Sequence, residues 1–514
     1  MKEEEKMAEK IKNIANKSYK IIAYLAIMLV LLLINYYHIF DEKVVTNIIF
    51  IILGLTVLVL INKFFINKVK DRTLKISIIV LLALFAIFEI LAVYYFRVSY
   101  NWDFKWVMDS AKDLATTGAT ENAFYFKIFP NNWGVLAITT FGMSLTGGNE
   151  IGAYAINILF VFLSALFSVL ASKKIGGNKL ALNVMLLLIG CAPLYLYTPI
   201  VYTDTISVLF PVATLYFWLL AKDKKEKSKK GYYLSIILTA VVGAIGYFMK
   251  PVAGIVLVAI IIDEIFTNFN KNTIKNLAII VSIMFIIVTV FNKLGENLII
   301  KDSRKNDYEF PLTHWVMMGL NKPESEGGTS IGYGAYSQPD ADYTTTSGNY
   351  EQKKEANIEK IKERLNEFGI KGYIKFLLNK FKYVWNDGSY YVLHVIGWDT
   401  LNTTSTPYKY IIGEQSENIF IPYVTHFNNC IFFIILVGIL IGLVRKKSTQ
   451  ETRILGISIV GIALFLLVWE ARSRYIYFLL PVFCVLAACE LPLIYKEIKR
   501  LLLKIKNRGE RSKE

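Results

Sequence analysis

Long apolar runs, separated by short polar or basic segments, are the feature that most constrains how this chain can fold. A helix needs about 20 apolar residues to cross the hydrocarbon of a bilayer, and 54% of these 514 residues are hydrophobic. Because no water reaches the backbone there, the spans must be helices rather than isolated strands. We expect an all-α polytopic membrane protein with about twelve crossings: Tyr19–Phe40, Val44–Phe65, Ile76–Phe96, Ile151–Ser172, Leu180–Ile200, Asp204–Ala221, Tyr232–Met249, Val252–Phe266, Leu277–Phe291, Cys430–Val444, Ile454–Trp469 and Tyr475–Tyr495.

The net charge of +16 is concentrated between the spans, which argues against nucleic acid as a partner. Basic residues accumulate in cytoplasmic loops of membrane proteins, and their natural partner is the anionic inner leaflet. We therefore expect both termini on the cytoplasmic side of the cell membrane and the functional site on the outer side. The basic clusters are the N-terminal tail, Lys68–Lys75, Lys173-Lys174, Lys222–Lys230, Lys271–Lys275, Arg445–Lys447 and Lys496–Arg511.

A thirteenth apolar segment, Trp133–Leu145, is shorter and contains Gly and Thr. If it crossed the membrane, several basic loops would face outward. We therefore expect a re-entrant or juxtamembrane helix, packed against protein rather than lipid.

This topology predicts five regions along the chain. Two basic tails, residues 1–18 and 496–514, lie in the cytoplasm. An N-terminal transmembrane module covers residues 19–293 and includes an outer catalytic loop, residues 97–150. An extracellular cap covers residues 294–428, and the last transmembrane helices cover residues 429–495.

The cap is too long to be a simple connection. Its stretch Glu324–Tyr350 is polar and predicts a mobile lid or an irregular loop. Apolar residues then recur at helical spacing from Ile358 to Phe368, and again from Tyr373 to Trp385 after Gly369. Lysines edge the second run, which is typical of a helix lying in the membrane interface. A small soluble cap packed on the spans is the alternative, and the two are compatible.

Two acids stand at the mouths of apolar spans. Asp103 follows Trp102, whose ring could anchor the loop at headgroup level or stack on a sugar. Asp204 lies in a tight aromatic corner beside Tyr202, where an acid is costly unless it is paired or functional. The plain alternatives are a solvated loop charge for Asp103 and a helix N-cap for Asp204.

Basic residues at the same predicted face run against the charge bias. Lys250 precedes Pro251 between two spans and could contact an anion. Snorkelling into the outer headgroups is the alternative role. Arg472 and Arg474 lie in the cluster Glu470–Tyr475, and arginine binds phosphate through a planar fork. An ion-paired cap with Glu470 is the alternative for these arginines.

Five further positions need an interpretation. Asn131 and Asn132 open the re-entrant segment and could position a sugar or the loop itself. His314, beside an aromatic residue, is a candidate for substrate binding or for a structural role. Asp340 and Asp342 form a D-x-D pair, which we interpret as part of a solvated loop.

Together these residues resemble the GT-C superfamily of polytopic glycosyltransferases, especially the dolichyl-phosphate-mannose protein mannosyltransferases and their bacterial relatives. Asp103 matches the acid of the first outer loop in that family, and Asp204 matches the acid of the second. Lys250, Arg472 and Arg474 lie where relatives contact the lipid phosphate. Many relatives carry a second acid beside the first, where this chain has Phe104, and a His-Pro-Pro sequence where this chain has Phe129-Pro-Asn-Asn132.

The resemblance implies a membrane glycosyltransferase that uses a polyprenyl-phosphate-linked sugar and acts by direct displacement with inversion. Asp103 and Asp204 would be catalytic, Lys250, Arg472 and Arg474 would bind the lipid phosphate, and the candidate substrate-binding residues are Trp102, Asn131, Asn132, Tyr202, His314, Glu470 and Tyr475. A divalent metal stays open, and no other cofactor is expected. The acceptor would be a wall polymer, glycan or protein, and a partner enzyme would make the donor. A polysaccharide ligase or polymerase acting on lipid-pyrophosphate-linked glycans is the alternative, followed by a lipid-linked sugar transporter.

Overall fold

The computed structural model describes residues 44–297, 305–398, 400–413, 419–444 and 448–511. Within them the regular structure is helical, and the only β pairing is two isolated bridges, Val98 with Thr400 and Pro323 with Ser330. The predicted span Tyr19–Phe40 lies outside the described residues.

The described helices run in chain order as follows. They are α1 Val44–Ile61, α2 Asp71–Phe96, α3 Trp102–Thr117, α4 Ala123–Ile128, α5 Trp133–Ser144, α6 Glu150–Gly190, α7 Ala192–Leu196, α8 Thr203–Ser207, α9 Leu209–Lys224, α10 Lys229–Met249, α11 Ile255–Thr267, α12 Lys271–Gly295, α13 Lys305–Tyr308, α14 Leu312–Met318, α15 Gln338–Thr346, α16 Tyr350–Trp385, α17 Val392–Trp398, α18 Thr406–Ile411, α19 Ile421–Val444, α20 Gln450–Val468 and α21 Leu480–Arg511. A π-helical turn covers Asn62–Ile66, and 3-10 turns cover Pro130–Asn132, Pro251–Gly254, Glu324–Glu326 and Ser473–Leu479.

Nine of the described segments are long and apolar enough to cross a membrane, which agrees with an all-α polytopic membrane protein. Three predicted crossings differ from the sequence expectation. Ile151–Ser172 and the first part of Leu180–Ile200 share α6, which bends at Gly176 and Gly177, where Gly177 has a φ of +72°. The predicted span Val252–Phe266 is the 13-residue α11 preceded by a 3-10 turn, so it falls short of a full crossing by length.

Helix α5 is the segment predicted to dip rather than cross. It has 12 residues, which gives about 18 Å at 1.5 Å per residue, well short of a bilayer core. It packs against α3 and α6, and Gly142 approaches α6 so closely that a Cβ there would lie 2.6 Å from the carbonyl oxygen of Gly152. The short length and the protein contacts agree with a juxtamembrane or re-entrant helix.

Of the predicted cap, residues 294–428, the structure describes residues 294–297, 305–398, 400–413 and 419–428, and the longest element there is α16. This helix bends at Gly369, whose φ of +55° favours glycine, so the two predicted helical runs are both present on either side of the bend. The expectation of an irregular or mobile stretch is wrong for Gln338–Thr346, which forms α15. Ser337 caps this helix by accepting a hydrogen bond from the backbone N–H of Asp340, a signal that is weak in a stretch so poor in apolar residues.

Several helices end or begin at the same end of the bundle. Helix α2 ends at Phe96 just before α3 begins, and α8 begins directly after Tyr202. Helix α10 ends at Met249, and α20 ends at Val468, shortly before the turn that begins at Ser473. The cap backbone joins this end, because Trp315 and Gly334 accept hydrogen bonds from the N–H groups of Glu470 and Ala471.

Candidate active site

Asp204 is the centre of a buried charge cluster at this end of the bundle. It lies in the first turn of α8, and its side chain is 4% exposed. Its Oδ1 forms an ion pair with the Lys250 ammonium, and its Oδ2 lies 3.4 Å from Nε of Arg474. A buried carboxylate requires such partners to offset its desolvation, so two cations from distant parts of the chain neutralise one acid.

Lys250 reaches Asp204 because α10 ends just before it. Its backbone is extended, and Pro251 starts a 3-10 turn that prevents the helix from continuing. The ammonium also lies over the rings of Tyr475 and Phe478, at 5.3 and 5.6 Å from their centroids. Burial lowers the pKa of Lys250, and the charge of Asp204 opposes that shift.

Arg474 is held among aromatic rings. Its guanidinium carbon lies 4.8 Å from the ring centroid of Trp102, 5.6 Å from that of Tyr475 and 5.9 Å from that of Tyr202. Its buried Nε has no hydrogen-bond partner within the described residues, although it is in ion-pair range of Asp204. A buried donor without an acceptor is costly, so Arg474 is suited to receive an anionic ligand.

Asp103 completes the cluster from α3. It stands in the first turn of that helix and is partly exposed. Burial raises the pKa of Asp103, while hydrogen bonding from Tyr125 and the charge of Arg474 act in the opposite direction. The neighbouring charge of Asp204 raises this pKa further. A carboxylate with a raised pKa is a better proton acceptor near neutral pH.

The residue before Asp103 has a strained backbone. Trp102 has a φ of +41°, a region that bulky side chains rarely adopt. Its ring meets that of Tyr202 edge to face at 5.3 Å and lies under Arg474. Such strain is concentrated at functional sites, and here it brings the Trp102 ring beneath the guanidinium.

The two asparagines of the α5 entry have different surroundings. Asn132 is buried, donates a hydrogen bond to the Tyr125 hydroxyl at 2.6 Å and accepts one from Tyr202 at 3.4 Å. Asn131 is exposed and donates to the side chain of Asn132 at 3.3 Å. Asn132 therefore orients Tyr125 and Tyr202, which both act on the pKa of Asp103. Asn131 lies at the surface.

Glu470 and Tyr475 close the cluster on the side of the cap. The Tyr475 hydroxyl donates a hydrogen bond to Oε1 of Glu470 at 2.6 Å, and Glu470 is buried. Burial raises the pKa of Glu470, and the Tyr475 hydrogen bond opposes this shift. We call Asp103, Asp204, Lys250, Glu470 and Arg474 the mouth cluster.

Arg472 faces a different set of partners. Its guanidinium carbon lies 4.5 Å from the ring centroid of Tyr391. Burial raises the pKa of Tyr383, and the charge of Arg472 opposes that shift. The adjacent Ser473 donates to Oδ2 of Asp387 at 2.9 Å. Arg472 has an extended backbone, whereas Arg474 lies in the 3-10 turn that begins at Ser473, and the two side chains project into neighbouring but separate polar surroundings.

His314 lies inside the cap and outside the mouth cluster. It is buried, its Nδ1 is 2.7 Å from the Thr344 hydroxyl, and its ring packs on Phe310 and Trp315. Burial lowers the pKa of His314 to about 3, so the ring is neutral at physiological pH. Its surroundings favour the structural role that the sequence left open.

Lys380 is a central residue that the sequence reasoning missed. It is fully buried, and its ammonium donates to the carbonyls of Gly319, Leu467 and Trp469 at 2.5, 3.2 and 2.6 Å. Burial lowers the pKa of Lys380, and the charge of Glu470 opposes the shift. A cation suits the carbonyl end of a helix such as α20, so Lys380 fastens the cap to the segment that leads to Arg474.

The interpretation of the D-x-D pair as a solvated loop is wrong for Asp340. This residue is buried in α15, and its carboxylate accepts two hydrogen bonds from Arg364, at 2.7 and 3.0 Å. Asn321 donates a third at 3.1 Å. Asp342 is exposed on the opposite face of the helix, so the two acids do not share a site.

The residues of the mouth cluster do not fit a divalent metal. Both oxygens of Asp204 face cations of the chain itself. No group of three His, Cys, Asp or Glu side chains in the described part of the chain is placed to hold a metal ion.

Comparison with known proteins gives a family and two distant structural likenesses. A family model described as "Conserved hypothetical integral membrane protein" matches residues 8–494. A search of curated proteins finds no match.

The first structural likeness is to the archaeal oligosaccharyltransferase AglB from Archaeoglobus fulgidus, in complex with an inhibitory peptide and a dolichol-phosphate. It has 11% sequence identity and a TM-score of 0.42, and covers 84% of this chain and 52% of that chain. This chain therefore spans about half the length of the archaeal protein.

The second is to ArnT from Cupriavidus metallidurans bound to undecaprenyl phosphate, with 12% identity and a TM-score of 0.35, over 80% of this chain and 77% of that chain. With TM-scores below 0.5, these likenesses assign no residue and no substrate to this chain.

Proposed function

We propose that this chain, which belongs to the family of conserved hypothetical integral membrane proteins, is a membrane glycosyltransferase that takes its sugar from a polyprenyl-phosphate-linked donor. The observation that carries the proposal is the mouth cluster, where a partly exposed carboxylate lies beside a buried arginine whose Nε has no hydrogen-bond partner in the described residues. A proton acceptor next to an anion-binding cation is what transfer from a lipid phosphate requires.

Arg474 and Lys250 would bind the donor phosphate. Asp204 holds both cations, so their positions are set before the ligand arrives. Charge builds on the phosphate oxygen as the bond to the sugar breaks, and cations fixed in advance stabilise it without reorganising. The aromatic rings around Arg474 exclude water, which strengthens the interaction.

Asp103 would act as the general base. Its carboxylate accepts the proton of an acceptor hydroxyl while the acceptor oxygen forms a bond to the anomeric carbon of the sugar. The bond from that carbon to the phosphate oxygen breaks, and its electron pair stays on the lipid phosphate. The products are the glycosylated acceptor, with inverted anomeric configuration, the lipid phosphate and a protonated Asp103.

Asp204 takes a role different from that of Asp103. Both oxygens of Asp204 already face cations of the chain, Oδ1 the Lys250 ammonium and Oδ2 Nε of Arg474. We assign Asp204 to the positioning of the two cations. Trp102 and Tyr202, stacked about Arg474, and Glu470, bonded to Tyr475, would then define the walls of the donor site.

The distribution of basic loops supports an outer location for this site. The positive-inside rule puts Lys173-Lys174 and Lys222–Lys230 in the cytoplasm, and the mouth cluster lies at the other end of the helices that these loops join. Nucleotide-sugars are absent outside the cell, so a lipid-linked donor suits this side.

A donor linked through pyrophosphate is the second candidate. Arg472 lies two residues from Arg474, and its guanidinium faces Tyr391 and Tyr383. A second phosphate could reach it while the first contacts Arg474. A ligase or polymerase that acts on lipid-pyrophosphate-linked glycans would use both arginines.

The proposal is tested with the full-length protein in proteoliposomes. Polyprenyl-phosphate-linked and polyprenyl-pyrophosphate-linked sugars, radiolabelled in the sugar, are supplied together with a membrane extract as acceptor. We expect release of polyprenyl phosphate from the first donor, with the label transferred to the acceptor. Release from the pyrophosphate donor alone would favour the second candidate, and movement of intact labelled lipid across the bilayer without release would show a transporter.

A further inference from the structure

Helix α15 of the cap is polar, and its two faces have different surroundings. The inner face of α15 is anchored, because Asp340 is bonded to Arg364 and Asn321, and Thr344 lies between His314 and Asn357. These contacts fix the helix without a hydrophobic core. The outer face is therefore presented in a defined orientation rather than on a flexible loop.

Gln338 and Asp342 on the outer face are linked to each other and to Tyr336, which lies just before the helix. The Tyr336 hydroxyl donates to Oε1 of Gln338 at 2.6 Å, and Nε2 of Gln338 donates to Oδ1 of Asp342 at 2.8 Å. All three are exposed, and 45% of Tyr336 remains accessible. A flat aromatic ring, an amide and a carboxylate thus stand in a row with their outward sides free of protein.

The row begins above the mouth cluster. Gly334, two residues before Tyr336, accepts a hydrogen bond from the N–H of Ala471 at 2.8 Å. Burial, followed by the charges of Asp103 and Glu470, raises the pKa of Tyr336 to about 12. Tyr336 therefore lies within electrostatic reach of the proposed base, and Gln338 and Asp342 lead away from it over the cap.

We propose that Tyr336, Gln338 and Asp342 form an acceptor subsite for a hydroxyl-rich glycan, in which a sugar ring stacks on Tyr336 and its hydroxyls bond to the amide and the carboxylate. This inference rests on the proposed transferase function and names the class of its acceptor. The C–H face of a sugar packs on an aromatic ring, and the amide and carboxylate offer both donors and acceptors to neighbouring hydroxyls.

A peptide acceptor would be recognised differently. Extended peptides bind by adding a strand to a sheet edge or by placing side chains in apolar pockets. The described residues of the cap contain no strand, and the row offers polar side-chain groups on an open face. The chemistry of the row therefore favours a glycan chain that runs along α15 with one end at Asp103.

The subsite is tested by binding, independently of turnover. Saturation-transfer NMR with the full-length protein in nanodiscs uses three soluble probes, cellohexaose, chitohexaose and maltohexaose, and a Ser/Thr-containing hexapeptide. We expect at least one oligosaccharide to bind the wild type. Tyr336→Ala removes the ring on which the sugar stacks, so this variant should bind about tenfold more weakly, which corresponds to about 1.4 kcal/mol.

Tyr343→Ala is the matched control, because Tyr343 is an exposed tyrosine on the same helix outside the row. It should bind like the wild type, and Asp342→Asn should weaken binding with the ring intact. Failure of all three oligosaccharides to bind, equal loss in both tyrosine variants, or binding of the hexapeptide alone would overturn the subsite. Donor turnover is measured in a separate assay, so a protein that releases lipid phosphate but binds no oligosaccharide fails here alone.

Discussion

Two buried charge groups lie at opposite ends of α20, and they differ in how completely their atoms are bonded. Arg453, near the start of α20, pairs with Asp263 of α11, and we call these two residues the stem pair. In the stem pair, Nε of Arg453 lies 2.8 Å from Oδ1 of Asp263, and Gln450 and Thr267 donate to Oδ2 at 3.0 and 3.2 Å. The mouth cluster lies beyond the other end of this helix, whose 19 residues span about 28 Å at 1.5 Å each.

The mouth cluster is incompletely bonded by comparison. Arg474 has a buried donor without a partner in the described residues, Asp103 is partly exposed, and Trp102 has a positive φ. A satisfied ion pair between helices serves the fold, whereas unsatisfied donors and local strain mark a place where a ligand completes the bonding. The same residue types thus have a structural role at one end and the functional role that we propose at the other.

The largest expected effect is a difference between Arg474 and Arg453 in the rate of lipid-phosphate release. Arg474→Gln removes the cation that faces the donor phosphate and leaves Asp204 paired with Lys250. Loss of one charge-stabilising group typically costs about a hundredfold to a thousandfold in turnover. Release of lipid phosphate should fall by that factor, and Arg453→Gln, measured per folded molecule, should release it at the wild-type rate. An equal loss of lipid-phosphate release in both variants would contradict the functional difference between the mouth cluster and the stem pair.

The next effect concerns stability, where we expect Arg453→Gln to be affected more than Arg474→Gln. Arg453→Gln leaves the buried Asp263 without its cation, and breaking a buried pair costs about 3–5 kcal/mol. Asp263 keeps hydrogen bonds from Gln450 and Thr267, so we expect a value near the lower end. Thermal unfolding in detergent should show a clear drop for Arg453→Gln and a smaller one for Arg474→Gln. A larger drop for Arg474→Gln would make the mouth cluster a structural element.

A third, smaller effect concerns the attachment of the cap to the mouth cluster. Lys380→Met keeps the length of the side chain but leaves carbonyls of Gly319 and Trp469 without their donor. Hydrogen bonds to a charged group contribute about 1.5–3 kcal/mol. The variant should lose that much stability and hydrolyse a larger share of donor, because the cap excludes water less well. Lys371→Met, at an exposed lysine of the same helix, is the control and should match the wild type.

The smallest effect is expected at His314. Because burial lowers its pKa to about 3, this ring does not titrate between pH 5 and 8. His314→Asn should cost about 1 kcal/mol through the hydrogen bond to Thr344 and leave the pH dependence of turnover unchanged over that range. A shift of the pH profile in this variant would place His314 in the reaction.

The sequence predicts the spans and the convergence of Asp103, Asp204, Lys250 and Arg474, because apolar length and charge bias determine which helix ends share a side. It also predicts the bend of α16, since glycine interrupts two helical patterns there. It does not predict the partners of Asp340 and Lys380. Arg364 is 24 residues from Asp340, and the carbonyls around Lys380 lie 61 to 89 residues away. Local patterns carry no information on such pairings, so a buried lysine and a surface lysine look alike.

The most direct test of the account is the rate of lipid-phosphate release by Asp103→Asn. With polyprenyl-phosphate-linked sugar and acceptor in nanodiscs, we expect a loss of about a hundredfold to ten-thousandfold, whereas Asp109→Asn on the same helix should resemble the wild type. Burial raises the pKa of Asp103 and the base must be ionised, so the wild-type rate should rise with pH through that raised pKa, and the variant should lack this limb. Release by Asp103→Asn at the wild-type rate and with the wild-type pH profile would contradict the account.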